Sequence, residues 1–127
     1  MIDHVSIAVR DLAAATRFYE AVLATLGHAK LADRPTTVGF GKGYPEFWLN
    51  LRPNAVPSAP DSGNHVCLRA ASSEAVDAFF RAALAAGGTS DGEPGRRPQY
   101  NEGYYAAFIR DPEGNKIEAV TFTNAAR

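Results

Sequence analysis

HVSIAVRDLAAATRFYEAVLATLG (residues 4–27) and HVCLRAASSEAVDAFFRAALAAGG (residues 65–88) are one pattern written twice. They align without a gap. His4 falls on His65, Val5 on Val66, Ser6 on Cys67, Ile7 on Leu68 and Asp11 on Ser72. Further along, Phe18 meets Phe79, Tyr19 meets Phe80, Leu23 meets Leu84 and Gly27 meets Gly88. A segment that recurs in this way is a supersecondary unit, and its period sets the architecture.

Each copy opens with alternation. Val5, Ile7 and Val9 share one face and His4, Ser6 and Ala8 the other, the period of a half-buried strand. Asp11 or Ser72 follows, a side-chain oxygen suited to the free N–H groups of a first helical turn. Leu12, Ala15, Tyr19, Val22, Leu23 and Leu26 then form one helical stripe, and Val76, Phe79, Phe80, Ala83 and Leu84 the other. Gly27 and Gly88 read as the helix ends, where a left-handed backbone suits glycine. Strands are expected near residues 30–32, 37–40 and 46–52, broken by GKGYP, and near 88–89, 104–110 and 116–123, broken by DPEGN. In that pentapeptide Pro112 presets φ, and Gly114 and Asn115 tolerate a positive one.

Each half is therefore β-α-β-β-β. Module one covers about residues 1–52 and module two about 65–123. A linker at 53–64, rich in Pro, Ser and Asn, joins them. A module this small buries little core alone. Paired, the two give a single α+β domain over 1–127, with a cup-shaped mixed sheet, helices outside and a site in the concavity.

The bulk numbers fit a globular chain: 127 residues, 46% hydrophobic, 21% charged, net charge -1. No run of Lys and Arg reaches five, so neither nucleic acid nor an anionic membrane is expected as a partner. Apolar runs are far shorter than the ~18 residues of a membrane span. Cys67 is the single cysteine, so no intrachain disulfide forms and a reducing cytoplasm suits the chain. No basic segment followed by an apolar one suggests a signal peptide.

If the apolar alternates cover the helices, His4, Ser6 and Ala8 point into the cup, as do His65, Cys67 and Arg69. In the last strand Ile117 and Ala119 suit the helix side, which leaves Lys116, Glu118 and Val120 on the inner face. A register error of one residue would reverse these assignments. His4, His65 and Glu118, from three strands, then form the donor set of an open two-histidine, one-carboxylate metal site.

On these residues the chain resembles the vicinal oxygen chelate superfamily, which includes glyoxalase I, ring-cleaving extradiol dioxygenases, fosfomycin-resistance thiol transferases and bleomycin-resistance binding proteins. DHVSIAVRDLAAATRFYEAVL, NHVCL and DPEGNKIEAV carry the resemblance, which covers nearly the whole chain. It implies a divalent-metal-dependent enzyme (lyase, isomerase, thiol transferase or dioxygenase) acting on a small oxygen-chelating substrate. The metal would be Fe, Mn, Ni, Co or Zn, and the catalytic residues stay unassigned. It also implies a homodimer, with the site within one chain or shared across two. The alternative is a metal-free small-molecule binder of the bleomycin-resistance type. Glyoxalase I adds a fourth-strand Glu. Here EFWLNLR offers Trp48 and Asn50 on the inner side, neither a carboxylate, and leaves the choice between them open. The departure counts against methylglyoxal-type isomerisation.

Trp48 is the first candidate for a pocket wall, with Asn50, Ser6 and Cys67 beside it. GEPGRRPQYNEGYYAAF (residues 92–108) reads as a polar, aromatic rim. Tyr100, Tyr104 and Tyr105 are its candidates for stacking or proton transfer. Arg52, Arg96 and Arg97 are candidates for an anion clamp.

Overall fold

The alternation of the first strand and its copy governs everything that follows. In the computed structural model, which describes residues 1–123, β1 spans Val5–Val9 and β5 spans His65–Arg69. Residues 124–127, the end of the expected 1–127 domain, lie outside the described residues. Val5, Ile7 and Val9 in β1, and Val66 and Leu68 in β5, are covered, and the alternate positions face solvent.

Helix α1 (Leu12–Ala24) begins where Asp11 accepts a hydrogen bond from the Ala14 amide, and α2 (Ser73–Ala85) where Ser72 accepts one from Ala75. Both caps therefore lie where the repeat puts them. The ends differ. Gly27 takes the left-handed backbone at φ 81°, but in the second copy Gly87, not Gly88, does so at φ 106°. Gly88 is instead small because a Cβ there would meet the Arg110 carbonyl at 2.7 Å. The stripes also need adjusting. Phe18 is buried with α1, while Leu84 is exposed on α2.

The remaining strands are β2 (Ala29–Asp33), β3 (Thr37–Gly41), β4 (Phe47–Leu51), β6 (Thr89–Arg96), β7 (Tyr104–Arg110) and β8 (Lys116–Phe122). They form two four-stranded mixed sheets, ordered β1-β4-β3-β2 and β5-β8-β7-β6. In each, the first strand pairs in parallel with the last strand of its module, and the other pairs are antiparallel. The fold is thus α+β, two βαβββ modules with the same topology. β6 extends well past the expected 88–89. TSDGEPGR lacks an apolar alternation because it is an edge strand with two register shifts, where Pro and Gly are tolerated.

Each helix packs on one face of its own sheet, and the two helices touch. One apolar cluster runs through both modules, from Phe40, Phe47 and Leu49 through Tyr19, Val22 and Phe79 to Ile109 and Ile117. The opposite faces of β1 and β5, with Ser6, Ala8, His65 and Cys67, stay open.

Candidate functional site

On the open face of the second sheet, parallel pairing sets Cys67 opposite Glu118, and antiparallel pairing sets Phe108 on the other side of Glu118. A carboxylate in mid-sheet costs several kcal/mol unless its oxygens are satisfied. Glu118 is 2% exposed, and both oxygens are engaged. His65 Nε2 donates to Oε1 at 3.1 Å, and the Tyr104 hydroxyl donates to Oε2. Burial first, and then the hydrogen bond to Glu118, raises the Tyr104 phenol above its ordinary pKa. Solvent reaches Cys67, yet its thiol is pushed up to about 12, first by desolvation and then by the Glu118 charge. It is a thiol at neutral pH in this arrangement.

His65, Tyr104 and Glu118, without Cys67, border a hollow of about 290 Å³ that Tyr100, Phe108 and Lys116 also line. Phe108 carries two cations. The Arg97 guanidinium lies 5.5 Å and the Lys116 ammonium 5.2 Å from its ring centre. Arg97 is held there by the carbonyls of Glu93, at 2.7 Å, and Gly95, at 2.9 Å. Lys116 also pairs with Asp91 at 3.2 Å.

The other expected site residues divide between places. His4 lies before β1 with half its side chain exposed, its Nδ1 bonded to Asp3 at 2.7 Å. Among the described residues no three His, Cys, Asp or Glu side chains converge closely enough to hold a metal within one chain. His65 and Glu118 are therefore together, and His4 is apart from them. Ser6 pairs with Trp48, and Ala8 with Asn50, on the open face of the first sheet. Since Ser6 is the copy of Cys67, Trp48 occupies the place that Glu118 holds in module two. The register thus resolves the choice left open between Trp48 and Asn50. Arg34 sits over the Trp48 ring at 5.4 Å, and Asn50 accepts a hydrogen bond from Thr37.

Tyr105, adjacent to Tyr104, points the other way. Its hydroxyl donates to Asp77 of α2 at 2.8 Å, so it belongs to the helix side and not to the hollow. Arg52 bonds the neighbouring Leu51 carbonyl, and Arg96 makes long contacts of 3.4 Å to Glu102 and Thr123. Of the three arginines, only Arg97 lies against a residue lining the hollow. Phe108 and Lys116 were not among the expected site residues. For Lys116 its parity with Glu118 along β8 was the available signal, whereas the face of Phe108 follows only from the register of β7 against β8.

A metal fits this donor set in chemistry and only partly in number. The imidazole nitrogen and the carboxylate oxygen that meet across this hydrogen bond are both atom types that ligate divalent cations. They are two donors, and a third must come from elsewhere.

The profile of the Glyoxalase/Bleomycin resistance protein/Dioxygenase superfamily matches residues 1–119. The Metallothiol transferase FosB of Shouchella clausii is 31% identical over 127 residues, covering 99% of this chain and 83% of that protein. A glyoxalase/bleomycin resistance protein from Albidiferax ferrireducens superposes with a TM-score of 0.80 at 34% identity, over 93% of this chain and 95% of that one. A family enzyme from Burkholderia phytofirmans, at 22% identity and TM-score 0.72 over 94% and 96% of the two chains, shares the fold. With the family profile spanning nearly all of both modules, the chain belongs to the Glyoxalase/Bleomycin resistance protein/Dioxygenase superfamily.

Proposed function

We propose that this chain is a metal-dependent enzyme whose divalent ion is held by His65 and Glu118 of one copy and His4 of a second. Its substrate is a small organic molecule with adjacent oxygens. The observation that carries the reading is the buried Glu118–His65 pair on an open sheet face, beside a hollow that admits a small molecule. His4 has the right chemistry for the third donor, and half of its side chain is exposed to solvent. When bound, the ion acts as a Lewis acid on the substrate's oxygens. Arg97 and Lys116 favour a negatively charged group over Phe108, and Tyr100 supplies a wall.

Trp48 in place of a fourth-strand carboxylate removes the group expected to shuttle a proton in glyoxalase I. That favours the three-donor members, the thiol transferases and dioxygenases. The name of the Shouchella relative favours the first.

Elemental mass spectrometry on protein purified without chelator tests this. The expected result is near-stoichiometric metal in the wild type and its loss in Glu118→Ala and in His4→Ala. Mixing His4→Ala with His65→Ala chains and refolding them together should restore one complete site in each mixed dimer. Metal contents that ignore all three substitutions overturn the reading. One observation favours the alternative, a metal-free binder: His65 and Tyr104 already satisfy Glu118. Absence of metal after reconstitution, with chelator-insensitive binding of an aromatic ligand, would establish that alternative.

A further inference from the structure

We infer that Tyr104 is a positioning residue for the metal, one that withholds a carboxylate oxygen of Glu118 and presents the other toward His65. The inference rests on the metal reading above. Its own ground is the division of labour at Glu118. A carboxylate with both oxygens free can turn about its terminal bond and bind a cation through one atom or two. Here Oε2 is taken by the Tyr104 hydroxyl and Oε1 faces His65 Nε2, 3.1 Å away. The side chain is 2% exposed and sits in mid-sheet between Cys67 and Phe108, so it has little freedom to find another arrangement.

Tyr104 is itself fixed for this purpose. Its ring packs edge-on against Tyr100, with centres 5.2 Å apart, and against Phe122, at 5.4 Å. It opens β7 and pairs directly with Phe122 at the end of β8. The phenol therefore reaches Glu118 from an anchored ring on a neighbouring strand, not from a mobile loop. A hydrogen bond of this kind orients a ligating carboxylate, and losing one typically costs about 10–100-fold in metal affinity. Keeping Glu118 to one metal-facing oxygen also leaves coordination positions for a chelating substrate.

The test is Tyr104→Phe, which removes the hydroxyl and keeps both ring contacts. The full chain is stripped of metal and titrated with Co²⁺ alone, following the visible ligand-field absorption. Wild type, Tyr104→Phe and Glu118→Ala are compared, with thermal unfolding of each metal-free protein as the check on packing. We expect Tyr104→Phe to bind Co²⁺ at least about tenfold more weakly than wild type. We also expect a changed absorption band, at an unfolding midpoint close to wild type. Unchanged affinity in Tyr104→Phe, with binding lost in Glu118→Ala, overturns the inference and leaves the metal reading intact. Unchanged affinity in Glu118→Ala as well overturns the metal reading, and the inference with it.

Discussion

Trp48 shows how a single residue's place depends on the absence of atoms opposite it. It pairs across the sheet with Gly39, and a Cβ added at Gly39 would lie 2.9 Å from the indole and 2.8 Å from Pro45 Cβ. No real Cβ tolerates that approach, so Gly39→Ala must move the ring or the turn. The flat side chain lies in the gap that glycine leaves, with Arg34 above it. Gly39→Ala should therefore destabilise the fold by about 1–3 kcal/mol, the usual cost of overpacking. Because Trp48 is the chain's one tryptophan, its emission reads the displacement directly. An unshifted spectrum at unchanged stability would mean that the ring is not held by Gly39. Tyr104 and Tyr105 teach the complementary point. Adjacent strand residues face opposite ways, so one of the pair was bound to leave the hollow. A composition-based reading of the rim could not say which, because the choice rests on the register of β7 against β8.

At the scale of elements, what repeats in the sequence was legible and what interrupts the repeat was not. The two strands, the two caps and the two helices follow from periodicity and capping chemistry, which act over a few residues. β6 runs on past the expected 88–89 because an edge strand needs no apolar alternation, and its two bulges admit Gly92, Pro94 and Gly95. The position equivalent to Glu118 in β4 was undecidable for a similar reason. It depends on loop length between strands, which the register of β1 with β4 fixes only in three dimensions. The caps give this scale its prediction. Asp11→Ala and Ser72→Ala each remove the acceptor of one first-turn amide, that of Ala14 or Ala75. Each should cost about 1 kcal/mol in chemical denaturation, with Asp11→Asn and Ser72→Thr close to neutral. A loss in one copy only would show that the matching sequences do not have matching energetics.

The whole molecule is joined by a segment that the sequence marked only as a turn. DPEGN folds back as expected, with Gly114 at φ 92° and Asp111 accepting the amides of Glu113 and Asn115. Its side chains also reach module one. Glu113 accepts the backbone amides of Arg10 and Asp11 at 2.6 and 3.0 Å, and Asn115 donates to the Ala8 carbonyl at 3.3 Å. Asp111 accepts the Tyr19 hydroxyl at 2.6 Å, and that tyrosine is fully buried in α1. A turn motif predicts its own backbone, not the distant partners of its side chains, so this clasp was invisible until the modules were packed.

Tyr19 makes the clasp measurable through pH. Burial first, and then the charge and hydrogen bond of Asp111, raises its phenol well above 10 in the folded protein. The unfolded chain loses that proton near pH 10, while the folded chain keeps it. The folded state then binds more protons than the unfolded one, so stability falls as pH rises through 10 and is fully present below it. Tyr19→Phe removes this slope and, at neutral pH, also removes a hydrogen bond to a charged acceptor worth roughly 1.5–3 kcal/mol. Urea unfolding from pH 7 to 11 should show the variant less stable at neutral pH, with the gap to wild type narrowing above pH 10. Parallel curves across the whole range would mean that Tyr19 does not hold the two modules together through its proton.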